Sequence, residues 1–397
     1  MKDLTELSEH IAYVGVNDRT KQLFEGLWSL PSGVSYNAYL VCGERTALID
    51  TVDASFTGRL LDNLRARLAG RPLDYLIVNH MEPDHSASIA AVRTAWPDVR
   101  IVGNAKTLQM IEGYYGIAGG TLEVSEGDTL DLGGATLAFR MIPMVHWPET
   151  MVTWYAEERT LFSGDAFGTF GALNGGITDE ELDTDPFREE MRRYYACIVG
   201  KYGTPVQQAL KKLAGLEIAA ICSTHGPVWR REIRQVVAMY DRLSRYEAEP
   251  GAVIAYGSMY GHTEQMAESI ARRLAADGVK PITIHNLSTA DISCVLRDIF
   301  RYDTLVVGSP TYNGGLFPPV EGLLNKIAER CIPCRRFACF GSFTWAGAAV
   351  RRMKEFAERM KWPLTGEAVE MKQGFTDAAA ESCRTLADAI ASAMQSE

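Results

Sequence analysis

The sequence predicts an α/β protein of two domains, and three observations lead there. An apolar run, 73–78, reads as a buried strand and ends in the ligand-rich loop His80-Met81-Glu82-Pro83-Asp84-His85. The polar stretch 244–251 closes on Pro250-Gly251 and breaks the pattern as a linker does. Beyond it strands and helices alternate strictly, the rhythm of a doubly wound parallel sheet. The domains are therefore expected at 1–248 and 252–397.

Composition narrows the class. With 397 residues, 47% hydrophobic and 23% charged, the chain can bury two ordinary cores. A net charge of −10 argues against a nucleic-acid binder. The start, Met1-Lys2-Asp3-Leu4-Thr5-Glu6, has no apolar core, and the chain has no apolar run of about 18 residues, so a cytoplasmic protein without a membrane span is expected. The eight cysteines are scattered and are expected to be buried thiols. Cys331-Ile332-Pro333-Cys334 has no second pair with which to build a one-iron site.

In the first domain, 11–16, 34–41 and 46–51 read as a strand meander. Segment 55–68 carries Leu60, Leu61, Leu64 and Leu68 at helical spacing. A helix over 88–95 and a strand over 100–103 follow the ligand loop. Strands are expected at 122–124, 130–132, 136–143, 151–155, 160–163 and 218–223, with helices at 185–198 and 205–213. The lack of a strict βαβ rhythm points to packed sheets with helices outside.

Three further strand-like runs end on His146, Asp165 and His225. Singly each is an ordinary turn residue. Together with the 80–85 loop they take four of the seven histidines to strand ends that can share a pocket. Mixed imidazole and carboxylate sets favour iron or manganese with open positions. His80, Glu82 and His146 can serve one ion and Asp84, His85 and His225 another, with Asp165 as bridge. His85 is the least secure, because the second residue of an Asp-His pair can turn away. Tyr194 and Tyr195 could place a hydroxyl over the metals or merely pack.

In the second domain, strands are expected at 252–256, 280–285, 304–308, 336–341 and 368–372, with helices between and after them. The first strand runs into Gly257-Ser258-Met259-Tyr260-Gly261-His262-Thr263, a hydroxyl-rich turn at a helix start and so an anion cradle of backbone N–H groups. It lacks the Gly-Lys-Ser/Thr ending of a P-loop. Two more loops follow later strands, Ser309-Pro310-Thr311-Tyr312-Asn313-Gly314-Gly315 and Gly341-Ser342-Phe343-Thr344-Trp345-Ala346-Gly347. Their aromatic faces and glycines suit a flat ring, and three such loops at one sheet edge point to FMN.

These residues resemble the flavodiiron proteins (A-type flavoproteins) over nearly the whole chain. The resemblance rests on His80-x-Glu82-x-Asp84-His85, on His146-Trp147-Pro148-Glu149-Thr150-Met151, on Asp165, on His225-Gly226-Pro227 and on the three loops. Glu82, where many zinc hydrolases of the superfamily carry His, is its most specific mark. His262, where Asn is common, and Thr344, where a smaller residue is usual, depart mildly. The resemblance implies a metallo-β-lactamase-like αββα sandwich carrying two irons, followed by a flavodoxin-like five-stranded domain carrying FMN. It implies reduction of dioxygen to water, nitric oxide to nitrous oxide, or both, with electrons from a rubredoxin-like carrier. It also implies a head-to-tail homodimer or dimer of dimers, and a minimal class without an appended rubredoxin. The competing reading is a metallo-β-lactamase-fold hydrolase whose flavodoxin-like domain senses redox state.

Overall fold

Asn79, the residue just before the ligand loop, ties two sheets together. The fold is that of a computed structural model describing residues 5–395; the N-terminal stretch 1–4, read above for targeting, and residues 396–397 lie outside it. The first sheet orders its strands as Ile11–Tyr13, Tyr39–Cys42, Thr46–Ile49, Tyr75–Ile77, Arg100–Gly103 and Thr121–Glu123. The second runs Thr129–Asp131, Thr136–Met141, Met151–Tyr155, Thr160–Gly164 and Ala220–Ser223. Asn79 is fully buried and accepts from Met151 N at 3.0 Å and from Thr153 Oγ1 at 2.8 Å, on the second sheet. Those bonds satisfy polar groups that burial would otherwise leave unpaired.

Helices cover these sheets with one apolar face each. Thr57–Leu68 buries Leu60, Leu64 and Leu68, one residue per turn. Two helices were not foreseen. Ala105–Tyr115 starts at Asn104, whose side chain accepts from the Lys106 and Thr107 amides, and stops at left-handed Gly116. Its Gly113-Tyr114-Tyr115 end disguises the helical period. Ile233–Ser244 buries Val236, Met239, Tyr240 and Leu243, a period that was present in the sequence and unassigned.

The chain divides into units Met1–Arg245 and Tyr246–Glu397. In the second, parallel strands follow the order Ile282–Asn286, Glu249–Tyr256, Tyr302–Tyr312, Arg336–Phe343 and Val369–Lys372. The short strand Gly315–Leu316 pairs to one side. Pro250-Gly251, read above as the end of a linker, lies inside the strand Glu249–Tyr256. Glu249 already pairs with Tyr302, and the register shifts before Ala252. Gly251 is required there, since a Cβ would lie 2.5 Å from the Tyr302 ring.

The cysteines also need correction. None of the eight forms a disulfide, but Cys331 and Cys334 are exposed and only Cys197, Cys222, Cys339 and Cys383 are buried. What the Cys331–Cys334 turn does bury is Arg335, 4% exposed, which donates to the carbonyls of Ile299 (2.9 Å), Phe300 (3.2 Å), Tyr246 (3.2 Å) and Cys334 (2.6 Å). Burial pushes its guanidinium down to about 10, still charged at neutral pH. Arg335→Ala strands those carbonyls. It should cost about 3 kcal/mol of second-unit stability, measured by denaturant unfolding of the flavin fluorescence, with metal content unchanged.

Candidate metal centre

Four loops deliver seven side chains to one buried cluster. The strand Tyr75–Ile77 leads into the 80–85 loop, where Pro83 opens the single helical turn Pro83–Ser86 and turns Asp84 and His85 inward. On the second sheet, His146 lies between strands Thr136–Met141 and Met151–Tyr155, Asp165 directly follows Thr160–Gly164, and His225 lies two residues beyond Ala220–Ser223.

The seven divide into two groups. His80, Glu82, His146 and Asp165 form one, and Asp84, His85 and His225 the other, with the potential ligand atoms of each within 4.8 Å of one another. Asp165 faces both. Its Oδ2 lies 3.2 Å from His146 Nε2 and 3.5 Å from His80 Nε2, while its Oδ1 lies 2.9 Å from His85 Nε2 and 3.7 Å from His225 Nε2. His85, the doubtful member, turns in: its Nε2 is also 3.4 Å from Asp84. The other three histidines stand apart. His10 pairs with Glu158, His285 with Asp298, and His262 is exposed on the second unit.

Around the cluster, the protein fixes which ring nitrogen points inward. His80 Nδ1 lies 2.8 Å from Glu149 Oε1, and His225 Nδ1 lies 2.7 Å from the Ser35 carbonyl. Each arrangement keeps a proton on Nδ1, so that Nε2 is the nitrogen that faces the cluster and that a metal would take once its own proton is displaced. His80 Nε2, both Asp84 oxygens and His225 Nε2 are buried and make no hydrogen bond. Such a convergence of orphaned donors is what two divalent ions fit, and mixed nitrogen and oxygen ligands suit iron. Thr224 Oγ1 donates to Asp165 Oδ1 at 2.5 Å. The rings of Phe24, Tyr36 and Tyr194 surround His225 at 5.5, 6.0 and 5.6 Å. Tyr194, rather than Tyr195, is the phenol beside the cluster: its ring lies 5.6 Å from that of His225 and its hydroxyl makes no hydrogen bond, whereas the Tyr195 ring packs on Tyr240 at 5.1 Å.

Sequence reasoning gave no role to Glu149, Ser35, Thr224 or Glu25. Glu149 was within reach, as a carboxylate three residues after His146. A backbone carbonyl such as that of Ser35 leaves no trace in a sequence. Glu25 occupies the turn between strands Leu23–Phe24 and Trp28–Ser29. Burial and then the Glu82 charge push its carboxyl up to about 7.

The electrostatics express a surplus of negative charge. Burial resists protonation of His85, but Asp84 and Asp165 outweigh it and raise the ring to about 9. In His146, burial is likewise outweighed by Asp165 and Glu82, giving about 9. His80 rises well above its ordinary value against burial, through Asp165 and Glu149. Burial resists ionisation of Asp165, and His85 and His80 nevertheless hold it well below the usual carboxylate range.

The second unit brings the three predicted flavin loops to adjacent strand ends. Gly261, at φ +88°, opens the helix His262–Ala276, and no side chain caps that end, so its first amides are available to an anion. Ser258 Oγ accepts from Gly261 N, and Thr263 is buried, with its hydroxyl 2.9 Å from that of Ser342. Met259 and Tyr260 are exposed, Tyr260 by 88%. Pro310, Thr311 and Tyr312 end one strand, and Asn313 and Gly314 turn it back at positive φ to Gly315. Ser342 and Phe343 end the next strand, beyond which Thr344, Trp345, Ala346 and Gly347 are exposed, Trp345 by 88%. Bare aromatic faces beside an uncapped helix start fit a ring with a phosphate tail. The Thr311 hydroxyl is already committed, accepting from Ala348 N and Ala349 N at 3.0 and 3.1 Å.

Comparison with known proteins agrees with this division. Residues 34–226 match the family model described as ODP family beta lactamase, and 254–385 match flavodoxin. The rubredoxin-oxygen oxidoreductase of Megalodesulfovibrio gigas is 31% identical over 398 residues, spanning 99% of this chain and 98% of that protein. The anaerobic nitric oxide reductase flavorubredoxin of Escherichia coli is 32% identical over 381 residues, 92% of this chain and 79% of that protein. Among solved structures, the rubredoxin oxygen:oxidoreductase of Desulfovibrio gigas superposes with a TM-score of 0.94 at 30% identity, covering 99% of this chain and 98% of that one. The flavodiiron protein of Giardia intestinalis also gives 0.94, at 26% identity, covering 99% and 97%. The first unit is thus a metallo-β-lactamase-like fold and the second a flavodoxin-like one.

Because a ligating imidazole must be neutral, metal must displace protons here. At pH 7.5 the metal-free rings of His80, His85 and His146 are protonated. Adding metal to weakly buffered protein should therefore release about three protons per chain, read as acidification, and affinity should fall as pH drops.

Proposed function

Since the chain belongs to the flavodiiron protein family, we infer that it is an oxidoreductase that reduces dioxygen to water, nitric oxide to nitrous oxide, or both. The observation that carries this reading is the buried seven-residue cluster divided between the two oxygens of Asp165. In it His80, Glu82 and His146 would hold one iron and Asp84, His85 and His225 the other, with Asp165 able to offer one oxygen to each. The loops at 257–263, 309–315 and 341–347 hold FMN. Two ferrous ions and a reduced flavin supply between them all the electrons that reduction of dioxygen to water consumes.

The chain's own residues do the rest. Glu149 and the Ser35 carbonyl keep the Nδ1 protons of His80 and His225 in place, so both rings present Nε2. Phe24, Tyr36 and Tyr194 keep bulk water from His225. The Tyr194 hydroxyl offers a hydrogen bond to a diatomic substrate. A small rubredoxin-like carrier is the proposed donor, as the relatives' names suggest. Among the described residues no helix is long and apolar enough to cross a membrane, and we place the enzyme in the cytoplasm.

Protein isolated from iron-rich medium should contain about two irons and one FMN per chain and should consume dioxygen or nitric oxide when reduced rubredoxin is supplied. Stoichiometric zinc with ester or lactam hydrolysis would replace this reading by a hydrolase.

A head-to-tail homodimer in which each flavin serves the partner's irons is the proposed working unit. Asp165→Ala should abolish gas reduction and leave FMN bound. Gly261→Glu should expel the flavin and leave the irons, since it crowds and repels the phosphate. Heterodimers of these two inactive chains should recover up to about half of the wild-type rate per dimer. Inactive heterodimers would show that electrons pass within one chain.

A further inference from the structure

The two metal positions have the same formal donors: two imidazoles, one terminal carboxylate and one oxygen of Asp165 each. What stands behind those donors differs. His80 Nδ1 meets the Glu149 carboxylate at 2.8 Å, whereas His225 Nδ1 meets a neutral carbonyl, that of Ser35, at 2.7 Å. His85 Nδ1 is buried and makes no hydrogen bond. A hydrogen bond to an ionised acceptor is roughly twice as strong as one between neutral groups, and it makes the ring a more basic ligand.

Glu149 is also built in rather than mobile. It is 1% exposed, and the same Oε1 that faces His80 accepts from Met81 N at 2.9 Å. Its backbone carbonyl accepts from Asn104 Nδ2 at 2.6 Å, so its two flanking loops cannot release it separately.

We propose that Glu149 is a positioning residue that makes the two metal positions unequal, so that the one held by His80, Glu82 and His146 takes a divalent metal first and more tightly. This rests on the two-metal reading given above, and the test separates the two. Full-length protein with FMN bound is stripped of metal by chelation and titrated with Co(II) in a calorimeter. Wild type should show two resolved binding events. Glu149→Gln keeps the side chain's shape and an acceptor for Met81 N while removing the charge. It should weaken the tighter event by about 10–100-fold and leave the weaker one unchanged, and Glu149→Asp should restore part of the loss. His225→Ala, read in the wild-type background, should remove the weaker event only. The proposal is overturned if Glu149→Gln weakens both events equally or neither, or if His225→Ala removes the tighter one. Should Glu149→Gln not fold, Glu149→Asp takes its place: it should weaken the tighter event alone, and weakening of both events equally or of neither overturns the proposal. Wild type that binds fewer than two Co(II) per chain overturns the two-metal reading itself, and this inference with it.

Discussion

A carboxylate with no exposure to water, Asp165, is the constraint on which the first unit depends. Burying one ionised carboxylate is costly, and Glu82 and Asp84 bring two more into the same pocket. Only positive charge at the centre can make that arrangement stable. Imidazoles that gain protons supply some of it in the metal-free protein, and two divalent ions supply more and deliver it where the oxygens point. The loops are therefore not free to drift. Each must end where its side chain meets one of the two oxygens of Asp165.

Holding the loops in that register falls to residues that never touch a metal. Asn79 joins the two sheets immediately before His80, and Glu149 joins the 80–85 loop to the 142–150 loop through His80 Nδ1 and Met81 N. The cluster is thus the meeting point of two sheets rather than a decoration on one of them. A site on rigid strand ends can hold its geometry with the ion absent, which shifts the cost of organising it from binding to folding.

Much of this was legible because strand-end ligands leave a strong sequence signature. His80, Glu82, Asp84, His85, His146, Asp165 and His225 each follow an apolar run, and the structure gathers all seven. The parts that were not legible have physical reasons. Ser35 acts through its backbone, and Glu25 comes beside Glu82 from a turn remote in sequence. The helix Ala105–Tyr115 ends in residues that favour strands and turns, so local preference masked its period. Pro250-Gly251 carries the signature of a linker, yet the pair sits in a bulge of an interior strand, where the Tyr302 ring leaves no room for a Cβ on the glycine. Cys331 and Cys334 looked like ordinary core thiols, since nothing local announces that Arg335 takes the buried place beside them.

The flavin loops offer a last lesson, in mechanics. Thr311, in the second loop, caps the helix Ala349–Met360 that leaves the third loop, and Thr263, at the start of the first helix, meets Ser342 in the third. Two hydroxyl contacts thereby lace three loops into a single frame. Moving any one of the three loops therefore strains its contacts with the others. Loops tied together in this way lose less freedom when a ligand settles among them than loops that must first be ordered.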